Sequence, residues 1–246
     1  MFLQDKRKNK WMETLATKKV SIVLCPYFKK IQDIIMEIKD RIKQKAHDMV
    51  MQFGIRSVSM DDIANALGMS KKTIYQYYAD KDELVDAVVN DELTQTQHDC
   101  DACRINTKDA LEEIVLTMNQ IHDQLSNMNP VILYDLEKFH PRAFQKFLKH
   151  KHEYLYRVIR QNIERGVKEE LYRPDLNIDV LSKYRLESMM IAFNLNVFPP
   201  GKYRLADINE IIMENFVYGL ATAKGHKLLM KYRNELTKKN SLHEKV

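Results

Sequence analysis

A cluster of basic, hydroxyl and amide side chains occupies residues 70–81, which read SKKTIYQYYADK. Lysine supplies positive charge for phosphate, whereas threonine, glutamine and tyrosine can exchange hydrogen bonds with phosphate oxygens or base edges. This mixture is unsuited to a packed core. It predicts a surface that meets a polyanion and requires a scaffold that holds these side chains in solvent.

Two short helices joined by a tight turn are predicted to form that scaffold. Ser59 is placed to cap the first helix, with Asp62 three residues later, and Ser70 is placed to cap the second. Gly68 can adopt the positive φ that ends the first helix. Helices this short are unstable alone and must pack on each other. Four apolar residues are expected to make the buried contact: Ile63, Ala64, Leu67 and Ile74.

The spacing of Ala64, Gly68 and Ile74 is typical of a helix-turn-helix unit. The second helix of such a unit lies in the DNA major groove, and its first turn reaches base edges while free N–H groups face phosphate. We expect Tyr78 to face the core, and for Tyr77 a half-buried position is an open alternative. Six outward side chains become candidate DNA contacts: Lys71, Lys72, Thr73, Tyr75, Gln76 and Tyr77.

The stretch FGIRSVSMDDIANALGMSKKTIYQYYADKDEL, residues 53–84, resembles the DNA-binding domain of the TetR/AcrR family of transcriptional regulators. The family pattern has a glycine, an apolar residue, Ser or Thr, D-I-A, a turn glycine, V-S, an aromatic T-x-Y-x-Y-F segment and K-x-x-L. Each element has a counterpart here. Tyr78 stands where Phe is commoner, and Lys72 stands where Gly or Lys is usual. The close match covers residues 38–90.

The resemblance implies a role for each candidate contact. Thr73, Tyr75 and Lys81 are expected to hold DNA phosphates, and Ser59, at a helix N-terminus, is a further phosphate candidate. Ser70 belongs to the same interface as the residue that begins the second helix. The expected base or near-base contacts are Lys71, Lys72, Gln76 and Tyr77. Asp61 and Asp62 are expected to serve the helix end, because carboxylates repel phosphate.

The rest of the pattern is helical and contains no alternating period of two. Apolar spacing predicts a helix from Ile38 to Phe53, closed by Gly54. Further helices are predicted to stop at residues 129–130, 141, 166, 199–201 and 225, where proline or glycine occurs. We therefore expect an all-α fold with an N-terminal three-helix helix-turn-helix DNA-binding domain, residues 36–84. A C-terminal helical ligand-binding and dimerisation domain is expected in residues 85–246.

The charge is unevenly distributed along the 246 residues, of which 45% are apolar. Residues 1–81 hold 16 basic against 9 acidic side chains, a net +7, whereas the remainder holds 23 against 25, a net −2. A basic N-terminal third predicts one region for polyanions and a second region with another task. Residues 1–35 form a basic extension that is either an arm beside a DNA-binding domain or a segment upstream of a natural start at Met36.

The cysteine count and the hydropathy indicate the compartment. Three cysteines are too few for a disulfide framework, which favours a reducing interior. No run of about 18 apolar residues occurs, so no membrane span is predicted. The apolar run at residues 20–24 is too short for a signal peptide. We expect a cytoplasmic protein with no membrane partner.

The C-terminal domain is interpreted mainly through the resemblance, which implies a homodimer and a small-molecule effector. The dimer is expected through residues 177–195 and 206–224, with Ile208, Ile212 and Phe216 as a seam and Gly219 allowing close approach. The alternative is that this seam lines the subunit's own core. Two-fold symmetry predicts a near-palindromic operator. The effector site is left open, since aromatic and methionine residues are as often core as pocket.

Two other functions remain as alternatives at this point. Cys100 and Cys103, with His98 nearby, could sense thiol oxidation or bind metal, although no second cysteine pair completes a site. A helical protein could also bind an acidic partner or a small molecule without reading DNA. No phosphate-binding glycine loop, nucleophile elbow or zinc-protease helix occurs, so neither an enzyme nor a cofactor or metal site is expected. The main expectation is a ligand-responsive repressor.

Overall fold

The computed structural model describes the backbone of residues 20–243 and the side chains of residues 37–235. In that part of the chain every regular element is a helix, which confirms the all-α prediction. The helices are α1 (Val20–Phe53), α2 (Met60–Leu67), α3 (Lys71–Tyr75), α4 (Lys81–Asn106), α5 (Ala110–Ser126), α6 (Ile132–Phe139), α7 (Pro141–His150), α8 (Tyr156–Lys168), α9 (Ile178–Ile191), α10 (Leu205–Leu220) and α11 (Ala223–His243). A π-helical turn, Lys151–Leu155, joins α7 to α8.

The N-terminal part, which we call the head (residues 37–89), consists of α1, α2, α3 and the start of α4. Helix α1 ends at Phe53 because Gly54 takes a φ of 85°, as predicted. Helix α4 begins after Asp80, whose side chain accepts a hydrogen bond from the Glu83 backbone N–H. Helix α1 packs against both α2 and α4, and α2 packs against α3. The short helices are therefore held by tertiary packing rather than by their own length.

One apolar core fills the head and continues into α6 and α7. Ile42 and Ile74 are fully buried, and Ile63 is 2% exposed. The same cluster includes Leu136 of α6 and Ala143 of α7. The head thus shares its core with the first helices that follow α5.

The remaining helices, residues 90–235, form what we call the body. Helix α5 packs on α8, α10 and α11, while α9 packs on α8 and α10. Two further apolar clusters stabilise this arrangement, one around Leu111, Ile163 and Val217 and the other around Leu125 and Ala206. The body therefore has two apolar clusters of its own, while its helices α6 and α7 also pack in the head core.

Gly166 lies inside α8, whereas the sequence predicted that it would end a helix. A Cβ at this position would lie 2.0 Å from the Tyr172 ring, so only glycine lets the ring rest on the helix. The Tyr172 hydroxyl donates to Asn162 at 3.1 Å, and Asn162 donates to the Ala110 carbonyl at 3.0 Å. Gly166 is a packing residue here, and α8 continues to Lys168.

Two other helix boundaries also differ from the sequence prediction. Helix α1 begins at Val20, although the apolar pattern predicted a helix only from about Met36. A further helix, α11, follows α10, so Gly225 lies within a helix and not beyond the last one. The predicted domain boundary at residues 84–85 falls inside α4, which belongs to both head and body. Of the basic extension predicted for residues 1–35, residues 1–19 lie outside the described residues. None of the described helices is long and apolar enough for a bilayer.

Candidate nucleic-acid interface and effector cavity

The first helix of the helix-turn-helix unit is capped as the sequence predicted. The Asp62 backbone N–H donates to the Ser59 hydroxyl at 3.1 Å, and the Ser59 backbone N–H donates to the Asp62 carboxylate at 2.8 Å. The Ser59 hydroxyl and then the Ser59 backbone N–H, which both donate to the Asp62 carboxylate, lower the pKa of Asp62 below its usual value. Gly68 ends α2 in the left-handed conformation, with a φ of 64°. The turn between α2 and α3 is therefore fixed by local chemistry.

The second helix is shorter than predicted, because α3 has five residues and is followed by a turn at residues 76–77. Ser70 caps it by accepting a hydrogen bond from the Thr73 N–H at 3.1 Å. The hydroxyls of Ser70 and Thr73 also share a hydrogen bond of 2.8 Å. Both side chains thus support the start of α3 while they lie beside its outer surface.

The outer side of α3 carries the predicted polar side chains into solvent. Lys71, Lys72 and Gln76 are exposed, Tyr75 is 41% exposed, and Thr73 is half-buried. Lys71 pairs with Asp61 at 2.9 Å, which raises the pKa of this lysine. Lys72 has no ion pair with any side chain in residues 37–235. Lys72 is therefore the cation of α3 that is free for an external phosphate.

The three tyrosines of this segment separate by burial. Tyr78 is 1% exposed, which confirms its assignment to the core, and its hydroxyl donates to the Lys39 carbonyl at 3.3 Å. Burial raises the pKa of Tyr78 to about 12. Tyr77 is half-buried and packs against the head core, which was the open alternative for this residue. Tyr75 remains the outward aromatic side chain.

Two predicted phosphate contacts are engaged within the head. The Lys81 ammonium donates to the Ile55 carbonyl at 2.6 Å, and burial lowers the pKa of Lys81. The Ser59 hydroxyl donates to Asp62 at 2.6 Å. A phosphate contact by Lys81 requires this side chain to leave the Ile55 carbonyl. Seven of the nine candidates therefore lie together on or next to α3, namely Ser70, Lys71, Lys72, Thr73, Tyr75, Gln76 and Tyr77.

A cavity of about 340 Å³ lies in the body and reaches the head core. Its walls are mostly apolar and come from α1, α2 and all helices from α4 to α10. Methionine and aromatic residues are among those that line it, including Met128, Phe147 and Met189. Tyr134 and Phe139, in contrast, are exposed. The volume falls in the range typical of small-molecule sites.

Arg185 is the residue of this cavity that the sequence analysis did not identify. It is only 4% exposed, and burial lowers its pKa to about 10, so it stays protonated at neutral pH. The sequence does contain a pattern that indicates this residue. Leu181, Arg185 and Met189 are spaced four residues apart, so a cation lies in the middle of an apolar helix face.

Cys100 lies on the cavity wall, and burial favours the protonated thiol at both Cys100 and Cys103. Burial raises the pKa of Cys100 to about 11 and also raises the pKa of Cys103. The Cys103 thiol donates to Gln120 at 3.1 Å. A redox-sensing thiol needs a pKa below its usual value. The pKa values of Cys100 and Cys103 are shifted in the opposite direction, which does not favour this role. Within the described residues no group of three or more potential metal ligands converges.

Helix α6 connects the cavity with the head. Its residues Ile132 and Leu136 line the cavity. On the other side, the Asp135 carboxylate accepts a hydrogen bond from the Arg56 backbone N–H at 2.8 Å. The Asn129 backbone N–H, just before α6, donates to the Met51 carbonyl at 2.7 Å. A displacement of α6 would therefore be transmitted to the segment between α1 and α2.

In this chain a helix-turn-helix head is followed by a helical body with an internal cavity. Residues 42–88 match the family model of bacterial regulatory proteins of the tetR family. The match covers the head alone, which is therefore similar to the DNA-binding part of that family.

Relatives and solved structures are similar to longer parts of the chain. The chain is 33% identical over 105 residues to the uncharacterised HTH-type transcriptional regulator YvaF of Bacillus subtilis, a match covering 42% of this chain and 55% of the relative. It is 23% identical over 144 residues to the HTH-type transcriptional repressor KstR2 of Rhodococcus jostii, covering 56% and 70%. The chain thus spans about half the length of the first of these relatives. A TetR-family regulator from Agrobacterium tumefaciens has the same fold, with a TM-score of 0.65 at 16% identity, covering 76% of this chain and 100% of that one.

Proposed function

We propose that the protein is a sequence-specific DNA-binding transcriptional regulator, acting as a ligand-responsive repressor. The observation that carries this proposal is the outer surface of α3. Lys71, Lys72 and Tyr75 on α3, and Gln76 in the turn after it, are exposed to solvent. Capping hydrogen bonds at Ser70 and at Gln76 fix the two ends of this helix. A rigid, basic, hydrogen-bonding helix of this kind fits the major groove.

The proposed contacts divide into two kinds. Lys72, Thr73 and Tyr75 hold phosphates, and Gln76 bonds to a base edge, for which adenine offers the matching donor and acceptor. Lys71 contributes to DNA binding only after its ion pair with Asp61 is broken and replaced by a contact with DNA. The contact by Lys81 likewise follows release from the Ile55 carbonyl.

The proposed active form is a homodimer through α9 and α10. Val180, Tyr184 and Ile191 on α9 are 56%, 57% and 47% exposed, and Ile211 on α10 is 59% exposed. Gly219 has open space around it. Exposed apolar residues on adjacent helices favour an interface between copies. The seam expected from the sequence needs correction, because Ile208 and Phe216 are 8% and 7% exposed and pack in the subunit's own core.

A dimer variant tests this surface. We expect Ile211→Glu to convert the protein to a monomer in light scattering, since it places a charge at the centre of an apolar contact. Ile105→Glu is the matched control, because Ile105 is 75% exposed on α4 away from α9 and α10. Equal association of the two variants would remove α10 from the interface.

Regulation is proposed to act through α6. A ligand in the cavity displaces Ile132 and Leu136, and the bond from Asp135 to the Arg56 backbone passes that displacement to the head. The ligand can shift the balance between head positions only by its different affinity for them.

The proposed function is tested by DNA binding to the region upstream of the protein's own gene, compared with random duplex of equal length. We expect specific binding to be at least about 1,000-fold tighter at physiological salt. Gln76→Ala should reduce this discrimination by about 1–3 kcal/mol. Equal losses on specific and random DNA would take the base-reading role from Gln76, and equal affinity of the wild type for both would overturn the proposal.

A further inference from the structure

Arg185 is a buried cation that has no acidic partner among residues 37–235. Its only side-chain hydrogen bond within residues 37–235 is a long one of 3.5 Å to the Ser188 hydroxyl. None of the ion pairs in that part of the chain includes it, and the group whose charge contributes to its pKa is Tyr184 rather than a carboxylate. A buried, unpaired charge destabilises a fold, so its presence on a cavity wall calls for a partner from outside the chain.

The other charged residues of the cavity wall already have partners. Glu113 pairs with Arg165 at 3.0 Å. Glu92 bonds to His47 at 3.1 Å, and Asp99 accepts from Gln95 at 2.9 Å. These carboxylates are therefore not free to receive a cationic ligand.

A second polar group of the wall also lacks a partner. His150 is 7% exposed, and its Nε2 has no hydrogen-bond partner in the described part of the chain. Its Nδ1 is 3.2 Å from the Gln97 amide nitrogen. If that amide donates, Nδ1 accepts and Nε2 carries the proton. Burial lowers the pKa of His150, so the ring is a neutral donor. The unpartnered groups of the cavity are thus hydrogen-bond donors.

We propose that the cavity binds a carboxylic acid with an apolar body, whose carboxylate pairs with the Arg185 guanidinium. The planar guanidinium matches a carboxylate through two parallel hydrogen bonds. One cation balances one carboxylate, whereas a phosphate monoester carries up to two charges and would leave one uncompensated. The apolar walls contact the remainder of the ligand. This inference deepens the proposed function, because it names the effector class of that regulator.

Calorimetric titration of the delipidated full-length protein tests the inference without DNA. The probes share one flexible chain: decanoate, 1-decanol and decyltrimethylammonium. We expect decanoate to bind at least about tenfold more tightly than decanol. The cationic probe should not bind measurably. Equal affinity for decanoate and decanol, or no binding of decanoate, would overturn the proposal.

Variants assign the effect to the guanidinium. Arg185→Met should weaken decanoate binding by about 10- to 100-fold and leave decanol binding unchanged. Arg160→Met is the matched control, because Arg160 is exposed on α8 and outside the cavity, and it should bind decanoate as the wild type does. Unchanged decanoate binding by Arg185→Met would refute the pairing.

Thermal unfolding separates a ligand role from a structural one. Without ligand, Arg185→Met should melt at or above the wild-type temperature, because the variant removes an unpaired buried charge. A lower melting temperature together with intact decanoate binding would assign Arg185 to the fold. Operator binding is measured separately. If the protein binds DNA but no carboxylate, the proposed effector class is wrong and the proposed regulator function stands. Carboxylate binding without DNA binding removes the regulator function alone.

Discussion

The head and the body differ in how many polar and charged side chains they bury. Among residues 37–89 no charged residue is buried, and the buried Tyr78 hydroxyl bonds to the Lys39 carbonyl. The exposed polar residues at the turns, such as Ser59 and Ser70, form caps. The body buries Glu113, Asn162 and Arg185 among others. A region that reads a fixed duplex benefits from a dry, well-packed core with one conformation. A region that responds to a small molecule needs unfilled volume and unpaired groups, which lower its stability until the ligand arrives.

The largest effect is expected when one apolar side chain in the head and one in the body are truncated and the losses of unfolding free energy are compared. Ile74→Ala should destabilise the protein by about 2–5 kcal/mol, because Ile74 is fully buried and leaves a new cavity. Met189→Ala should cost about 1 kcal/mol, because its side chain already faces open volume and loses fewer contacts. Denaturant unfolding of both variants measures the difference. Equal costs would mean that the cavity closes in solution.

A smaller effect is expected at the outer surface of the head. Lys72→Ala should weaken binding to all DNA sequences alike and lower the slope of log affinity against log salt by about one. Lys168→Ala, which changes an exposed lysine of α8 in the body, is the control and should leave the slope unchanged. A salt slope that is the same in Lys72→Ala and the wild type would show that Lys72 does not contact phosphate.

The smallest expected effect concerns the contact between α1 and α4. A hydrogen bond to Glu92 raises the pKa of His47 above its usual 6.5, and Asp48 adds to this. A raised pKa in the folded state contributes stability below about pH 6.5, and this stability is lost as pH rises through the folded value. His47→Gln should remove this pH dependence, worth about 0.2–1 kcal/mol for a half-exposed pair. Unfolding at several pH values checks this, and an unchanged pH profile would contradict it.

The head could be predicted from the sequence because its signals are local. Each N-terminal cap is a hydrogen bond between residues three positions apart, and Gly68 directly follows Leu67, the last residue of α2. These choices depend on backbone chemistry that any sequence window contains. The length of α3 was overestimated, because the turn at residues 76–77 depends on how Tyr78 packs against α1.

The body was less predictable because its features depend on distant partners. Gly166 resembled a helix end, and only the Tyr172 ring on top of it explains why the helix continues. The role of Ile208 and Phe216 depended on which face of α10 meets α5. The unpartnered state of Arg185 becomes visible only when every neighbouring helix is in place.

The π-helical turn Lys151–Leu155 has a consequence for how the length of this chain can vary. A π turn accommodates one residue more than an α turn, so the helices on either side keep their faces. Elsewhere in the helix, inserting or deleting one residue would rotate all later side chains by about 100° and turn Ile159 and Ile163 away from their neighbours. A single-residue deletion within this segment should therefore leave both flanking faces in place. When related chains are aligned, length differences of one residue should fall here.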